Sequence, residues 1–241
     1  MNTSPSLEHI LNTRRSVRKY DMKANFDHQA VQKSLELATL SPNSSNMQMW
    51  AFHRVISEKK RHQLADICMG QNAAKTANEL IVVTVTPNIW KQRAEMNAET
   101  VRAAFAGRED NTTKRALKYY DSLIPTLYNN DRVGLRGIAR KLYTSWIGRK
   151  KPMVREVSKE DVRVCLHKSA ALASMTFMLS MREQGYDTCP MEGFDSRRAK
   201  QLLGLDERHE ITMIISCGVG AQDGVYGERH RVPMSEVVFE H

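Results

Sequence analysis

The chain has 241 residues, of which 41% are hydrophobic and 26% charged, a composition typical of an ordinary globular protein with one large core. Its 36 lysines and arginines outnumber its 27 acidic residues, and the net charge of +9 should attract anions such as phosphate-bearing cofactors, nucleic acid or acidic lipid. The N-terminal sequence does not have the pattern of a secretory signal, and the apolar stretches at 80–85 and 211–220 are too short to span a bilayer, so we expect a cytoplasmic protein.

The cysteines and histidines do not form metal-binding patterns. The 4 cysteines include no C-x-x-C pair, and the 8 histidines include neither H-x-x-x-H nor H-E-x-x-H spacing. A chain of this size needs no disulfides to be stable. We therefore predict reduced thiols and no metal site.

The first half of the chain alternates predicted helices and strands. A short apolar helix at 7–11 is followed by a helix that Asp27 caps and that ends before Pro42, because proline disfavours helix in the residue before it. Strands are expected at 50–56 and 79–86, with a helix at 58–69 between them. The second strand is almost continuously apolar, which predicts burial on both faces.

The second half predicts helices around one core. Residues 88 to about 155 are polar and helical, without a linker that would mark a second domain. Ser158 and Asp161 form a predicted capping box for a long central helix that ends at Gly185. A strand at 186–189, a helix at 195–203 and a strand at 210–217 follow. We expect one domain over 1–241 of the α+β class, with a small mixed sheet surrounded by helices and a basic helical insertion at about 100–155.

Two arginine-rich segments suit a phosphate group. The run from Arg14 to Arg18 places three guanidiniums and the Ser16 hydroxyl within five residues, and a second pair, Arg229 and Arg231, lies near the C-terminus. Guanidinium groups bind phosphate oxygens through two parallel hydrogen bonds and stay charged at all working pH values. Taken singly, each segment is equally well a solvated basic turn.

Three further segments carry groups that suit a flat heteroaromatic ligand. The loop at 41–50 contains five small polar side chains and a glutamine, which can donate and accept hydrogen bonds at a ring edge. Asn72 and Lys75 are one helical turn apart and share a face. The turn at 190–194 contains Gly193, which lets backbone N–H groups approach a planar ligand. Each alone is also consistent with a structural turn or a solvated helix surface.

These five segments, in this order, resemble the FMN-dependent nitroreductase family from about Leu7 to Pro233. The family typically shows an RxSxR start, a PSSxNxQPW-like loop, an NxxK pair, a P-[IM]-E-G-F turn and a final K/R-x-R-x-P, and each has a counterpart here. Three residues depart from the pattern: Arg15 replaces a common histidine, Met47 a small polar residue, and Met49 a proline.

The resemblance implies an intertwined homodimer that binds FMN, and it assigns roles to particular residues. The phosphate would be held by Arg14, Arg15, Ser16, Arg229 and Arg231. The N1/O2 edge of the ring would face Arg18 and Lys75, whose positive charge stabilises the reduced ring, and Asn72 would form a hydrogen bond to the same edge. The N5/O4 edge would face the segment Pro190, Met191, Glu192 and Gly193. The other subunit would contribute Pro42, Asn43, Ser44, Asn46 and Gln48.

The resemblance also implies a reaction. It predicts a ping-pong cycle in which NAD(P)H and then a small electron-poor acceptor, such as a nitroaromatic or a quinone, use the same pocket. The chain has no G-x-G-x-x-G after a strand, so a Rossmann nicotinamide site is not predicted. We assign no general acid. Alternatives with the same fold are a flavin-dependent dehalogenase and a flavin-fragmenting enzyme, and a protein that only binds nucleic acid or a membrane surface is a third.

The stretch 131–155 is unusually basic, with 8 lysines and arginines, 1 acidic residue and several interleaved aromatic and aliphatic side chains. We interpret it as a helical insertion whose apolar residues pack on its own subunit or on the partner. A lid over the active site, a foot on an acidic membrane and a nucleic-acid patch are the alternatives. We expect neither nucleic-acid binding nor membrane association of the protein.

Overall fold

Helices and short strands alternate along the chain, which confirms the α+β prediction. The computed structural model describes residues 5–108, 110–131 and 133–241. Within these ranges the strands are β1 (Trp50–Val55), β2 (Glu79–Val85), β3 (Asp187–Met191) and β4 (Glu210–Gly218). The helices there are α1 (Leu7–Thr13), α2 (His28–Ala38), α3 (Glu58–Ile67), α4 (Asn72–Lys75), α5 (Trp90–Ala104), α6 (Asn111–Lys118), α7 (Ile124–Tyr128), α8 (Leu135–Ile147), α9 (Lys159–Glu183) and α10 (Ser196–Leu203).

The four strands form one sheet in the order β1-β2-β4-β3. All seven residues of β2 are buried, as its apolar sequence predicts for a strand covered on both faces. We expected a mixed sheet, whereas all three strand ladders are antiparallel. Parallel pairing is found at the isolated bridge between Ser16 and Thr188, which attaches the N-terminal arginine segment to the edge strand β3.

The central helix α9 organises the core. The predicted capping box is present. Ser158 Oγ accepts a hydrogen bond from the Asp161 backbone N–H, and the Asp161 carboxylate accepts one from the Ser158 backbone N–H. Its inner face, which includes the fully buried Phe177 and Met181, packs on α2 and on the sheet. Its 25 residues are long and apolar enough to cross a membrane, but half of the apolar stretch is buried, as in the core helix of a globular domain.

The structure corrects the prediction at Pro190 and Met191. Both residues belong to β3, where Pro190 pairs with Ile215, and the turn begins only at Glu192. The expected strand at 186–189 ended too early because proline normally terminates a strand. Here proline is tolerated because β3 lies at the edge of the sheet, where one side of the backbone needs no partner.

A buried carboxylate ties β1, β2 and α2 together. Glu79 is 0% exposed and accepts hydrogen bonds from Arg54 Nε at 2.6 Å and Arg54 Nη2 at 3.1 Å. His28 Nδ1 lies 2.8 Å from Glu79 Oε2, the oxygen that also accepts from Arg54 Nη2. A buried charge is tolerated only when it is paired and hydrogen-bonded, so this cluster fixes how α2 meets the sheet.

Four helices, α5 to α8, fill the stretch predicted to be helical between β2 and α9. Sequence analysis expected the apolar residues of this stretch to pack on their own subunit or on the partner. Within its own subunit α8 leaves Leu142, Tyr143 and Trp146 68%, 56% and 65% exposed, so these three side chains do not use the first of those surfaces. The inner face of α8 instead consists of small residues, with Gly137 and Thr144 buried.

Breaking the buried ion pair should destabilise the fold. We expect Arg54→Met to lower the free energy of unfolding by about 3 kcal/mol, because it leaves the Glu79 carboxylate buried without its guanidinium partner. Denaturant unfolding would measure this loss, and adding Glu79→Gln to Arg54→Met should recover part of it.

The matched control for this prediction is Arg102→Met. Arg102 pairs with Asp121 at 3.2 Å, and both side chains are about half exposed. We expect this variant to lose less than about 1 kcal/mol, as is usual for exposed pairs. Equal losses for Arg54→Met and Arg102→Met would show that the Glu79 cluster is not a determinant of stability.

Candidate functional site: an arginine pocket beside the edge strand

The two arginine-rich segments meet at the β3 edge of the sheet and enclose a pocket of about 150 Å³. We call it the arginine pocket. It is lined by Arg14, Arg15, Ser16, Arg18, Val225, Tyr226, Glu228, Arg229, His230 and Arg231. The pairing of Ser16 with Thr188 attaches the first segment to β3, and a hydrogen bond from the Arg18 backbone N–H to the Gly224 carbonyl at 2.7 Å joins it to the chain that leads into the second. The structure thus brings together all five arginines that the sequence assigned to the site.

Two of the five arginines also join the chain segments to each other. Arg229 donates to the Leu11 carbonyl at 3.1 Å and to the Arg14 carbonyl, at the C-terminal end of α1. Arg15 donates to the Gly227 carbonyl at 2.8 Å, in the opposite direction. These bonds use only part of each guanidinium, so the remaining N–H groups of both residues are available to a ligand.

The positive charges in the pocket repel one another. Burial lowers the pKa of Arg14, and the neighbouring charges of Arg229, Arg231 and Arg15 lower it further. Glu228 is the one carboxylate among the lining residues. An anion with several oxygen acceptors would relieve this repulsion, and a phosphate group has both the charge and the size for a cavity of about 150 Å³.

Tyr226 connects the arginine pocket to α4. Its ring lies 5.7 Å from the Arg18 guanidinium carbon, and its hydroxyl is 3.5 Å from Asn72 Nδ2. Lys75 lies one turn beyond Asn72 at the end of α4 and is exposed. Tyr226 therefore brings Asn72 close to Arg18 and the pocket, and Lys75 follows one turn later on the same helix.

The segment after β3 reaches α4 through Gln71, which donates from Nε2 to the Gly193 carbonyl at 2.8 Å. Glu192 and Gly193 are exposed beside it, so their backbone is accessible to a ligand. Met191 is only 3% exposed, and its side chain packs in the core beneath the sheet. Its side chain therefore supports the site from below.

The polar loop, which we define as residues 41–49, has an unusual backbone. Ser45, Asn46 and Gln48 have φ values of 55°, 50° and 45°, in the left-handed region that only glycine and asparagine adopt readily. Such strain persists only where surrounding contacts fix it, and it is concentrated at functional sites. Met47 and Met49 anchor the loop, because both are buried, at 1% and 2% exposure.

Hydrogen bonds also fix the polar loop. Asn43 Oδ1 accepts from the Gln48 backbone N–H at 2.9 Å, and Asn97 Nδ2 of α5 donates to the Asn46 carbonyl at 2.9 Å. The Ser44 backbone N–H donates to Ser169 Oγ of α9 at 3.3 Å. The side chains of Asn46 and Gln48 remain exposed above this framework.

Within one chain, the polar loop and the arginine pocket are separate. The loop leads into β1 and the pocket adjoins β3, at opposite edges of the sheet. Three strand spacings of about 4.8 Å separate those edges by roughly 14 Å. Among the described residues, no hydrogen bond joins Pro42, Asn43, Ser44, Asn46 or Gln48 to the arginine pocket.

Sequence analysis missed Tyr226 and Gln71 as members of the site. Both residues act as bridges between segments that are far apart in the chain, and bridging is a property of the fold rather than of a motif. A signal was present in each case, because Gln71 precedes Asn72 directly and Tyr226 precedes the final basic segment.

Three features define the class of this protein. They are the α+β fold, the phosphate-sized cationic pocket beside an edge strand, and the strained polar loop at the opposite edge of the sheet. The sequence model of the nitroreductase family matches residues 11–219. The chain therefore belongs to the nitroreductase family.

Known relatives cover nearly the whole chain. MhqN of Bacillus subtilis, which carries the provisional name of an NAD(P)H nitroreductase, is 24% identical over 233 residues, or 95% of this chain and 96% of its own. The crystal structure of ydfN from Bacillus subtilis has a TM-score of 0.76 at 22% identity, covering 97% of this chain and 98% of its own. A protein from Exiguobacterium sibiricum, solved in complex with FMN, has a TM-score of 0.69 at 22% identity, covering 100% of this chain and 99% of its own. These similarities confirm the nitroreductase fold.

The arginine pocket should bind inorganic phosphate. At about ten times its Kd, phosphate should raise the stability of the protein by roughly 1.4 kcal/mol, seen as an increase in Tm over sodium chloride of equal ionic strength. The double variant Arg14→Gln/Arg231→Gln should lose this increase. Arg208→Gln, which removes an exposed arginine paired with Asp206, should keep it. An equal increase in both variants would place the phosphate elsewhere.

Proposed function

We propose that the protein is a homodimeric FMN-dependent oxidoreductase. It takes electrons from NAD(P)H and passes them by a ping-pong mechanism to a small electron-poor acceptor such as a nitroaromatic or a quinone. The observation that carries this proposal is the arginine pocket beside α4, which combines a phosphate-sized cationic cavity with amide and ammonium groups suited to a ring edge. The names of the relatives support it, since they include NAD(P)H nitroreductases and an FMN complex.

The residues of the arginine pocket fit the phosphate of FMN. Arg14 and Arg231 would neutralise its charge, and the Ser16 hydroxyl adds a neutral donor. Arg15 and Arg229 would bind with the N–H groups that their backbone bonds leave over. Because a phosphate dianion offsets the repulsion among these cations, the pocket favours FMN over riboflavin, which has no phosphate.

The ring of FMN would lie over α4 and the turn after β3. Bound FMN supplies a centre that accepts a hydride and returns electrons to an acceptor. Lys75 and Arg18 would hold positive charge at one edge of the ring, where it stabilises the charge that reduction adds. The backbone of Glu192 and Gly193 would bind the opposite edge. The side chains bind and orient, and we assign none of them as a proton donor.

A second copy of the chain would complete the site. The arginine pocket is smaller than the ~300–1,000 Å³ typical of cofactor sites, and the polar loop, which offers uncharged donors and acceptors, lies at the far edge of the sheet. The surface next to the loop is an apolar groove, in which Leu7 and Leu40 are 60% and 78% exposed. Val164 and Leu172 on the outer face of α9 are also half exposed. A twofold dimer that buries these residues brings the loop of one chain to the pocket of the other.

The protein, purified with added FMN, should be yellow and should oxidise NADPH or NADH when menadione or a nitroaromatic compound is present. Initial rates at varied donor and acceptor concentrations should give parallel double-reciprocal lines, as a ping-pong mechanism requires. A protein that binds no FMN, or that binds it without oxidising either nicotinamide, would contradict the proposal.

Arg14→Gln/Arg231→Gln should weaken FMN binding by on the order of a hundredfold or more, because two charge-assisted contacts to phosphate are lost. Riboflavin binding should change little, since it makes no such contacts. Fluorescence titration measures both affinities, and Arg208→Gln serves as the matched control. An equal loss for riboflavin and FMN would show that the pocket does not hold the phosphate.

Two inactive variants should complement each other if the site is shared. One chain carries Arg14→Gln/Arg231→Gln and the other carries Asn46→Ala/Gln48→Ala in the polar loop. Random assembly makes half of the dimers mixed, and one of the two sites in each mixed dimer is intact, so about a quarter of normal activity should return on co-expression. No recovery, despite mixed dimers isolated by two affinity tags, would show that each chain builds its own site.

A further inference from the structure

Helix α8 presents a stripe of large apolar side chains to solvent. Leu135, Ile138, Leu142 and Trp146 are 65%, 57%, 68% and 65% exposed, and Tyr143 at the border of the stripe is 56% exposed. Their spacing of three or four residues places them on one side of the helix. Contiguous exposed apolar surface of this kind marks a binding surface, because single exposed residues are common but a helical stripe of them is not.

The orientation of the stripe is fixed by the opposite face of α8. Gly137 is buried so close to the start of α9 that an added Cβ would lie 3.2 Å from Ser158 Cα. Arg140 donates to the carbonyl of Thr126 at 2.8 Å and to that of Val157 at 2.8 Å. These contacts hold the small-residue face inward, so the stripe cannot turn into the core of its own chain.

Cations surround the stripe. Arg149, Lys150 and Lys151 follow α8 directly, are all exposed, and form no ion pair with any described residue. Arg136 and Lys141 flank the stripe on its two sides. Lys141 is within 3.3 Å of Asp161, and Arg136 donates to Asn129 Oδ1 at 2.6 Å, so the free charge is concentrated at the C-terminal end of α8.

We propose that the outward face of α8 docks the protein on an anionic lipid membrane. Leucine and isoleucine side chains on one side of a surface helix insert below the headgroups, tryptophan and tyrosine sit at the interface, and lysine and arginine attract acidic headgroups. The face of α8 combines all three features. This inference does not depend on the flavin proposal, and it revises the expectation from sequence that the protein does not associate with membranes.

The charge and the chemistry of the face favour lipid over two other occupants. A second copy docked through the same face would offer Arg149, Lys150 and Lys151 no acidic partner, because α8 contains no acidic residue and the stretch 131–155 has 8 lysines and arginines against 1 acidic residue. A nucleic acid would use the cations but would gain nothing from the aliphatic Leu135, Ile138 and Leu142. An acidic lipid surface uses both the cations and the aliphatic side chains.

Co-sedimentation with vesicles tests the proposal. The purified protein, saturated with FMN, should pellet with vesicles of phosphatidylcholine and phosphatidylserine at low ionic strength, and it should bind much less to phosphatidylcholine alone. Arg149→Gln/Lys150→Gln/Lys151→Gln should weaken binding about a hundredfold, because each cation near an anionic surface contributes about a factor of five. Leu142→Ser/Trp146→Ser should weaken it more than tenfold, because both side chains lose their burial in the interface.

Matched controls separate the face of α8 from the overall charge. Lys33→Gln/Lys59→Gln/Lys60→Gln removes the same charge from exposed positions on α2 and α3, and Met22→Ser/Ile56→Ser removes exposed apolar side chains elsewhere. Both controls should bind vesicles within about twofold of the unaltered protein. The Trp146 fluorescence should shift to shorter wavelength with anionic vesicles, and the shift should be absent in the charge variant.

Four results would overturn the proposal. They are a lack of binding to anionic vesicles, equal binding by Leu142→Ser/Trp146→Ser, an equal loss in the control variants, and a change in oligomeric mass caused by Leu142→Ser/Trp146→Ser. The last would show that the face is covered by another copy of the chain. Retention on duplex DNA that the apolar variant leaves unchanged, together with failure to bind vesicles, would identify the face as a nucleic-acid surface.

Discussion

The repulsion among the arginines of one small pocket is the constraint on which the site depends. Arg14 is partly buried, its neighbours Arg229 and Arg231 carry the same charge, and guanidinium groups do not escape by deprotonation. The fold holds these charges together in two ways. Arg15 and Arg229 each donate to backbone carbonyls of the other segment, and Ser16 pairs with the edge strand β3. A bound anion would relieve this repulsion, so a cofactor with a phosphate would also stabilise the structure of the pocket.

The polar loop differs from the arginine pocket, because it presents uncharged side chains on a strained backbone. Its left-handed residues would relax if they were not fixed, and Met47 and Met49 fix them by packing into the core on either side of Gln48. This explains the departure from the family pattern at Met47. A methionine is unbranched and flexible enough to fill an irregular gap beneath a strained loop, where a small polar residue would leave a void. The anchors and the exposed amides therefore work as one unit.

Much of the fold was accessible from sequence because the signals are local. The capping box at Ser158, the Asp27 cap and the apolar run of β2 each act within a few residues, and each was predicted correctly. The end of β3 was not, because Pro190 is tolerated only at the edge of a sheet and strand order is a tertiary property. For the same reason the pocket residues could be named individually, whereas the bridging role of Tyr226, which depends on three distant segments meeting, could not. The outward face of α8 was also hidden, since a helical pattern does not reveal which side the fold covers.

The strand order has a consequence for synthesis of the chain. Strand β4 lies between β2 and β3, so the buried strand β2, complete at Val85, lacks its second neighbour until Gly218 has been made. For more than a hundred residues of translation, one hydrogen-bonding edge of a fully apolar strand has no native partner. The emerging chain must keep this edge from pairing with other chains. The arginine pocket, which needs Arg229 and Arg231, forms only after β4 has been made and has paired with its neighbours.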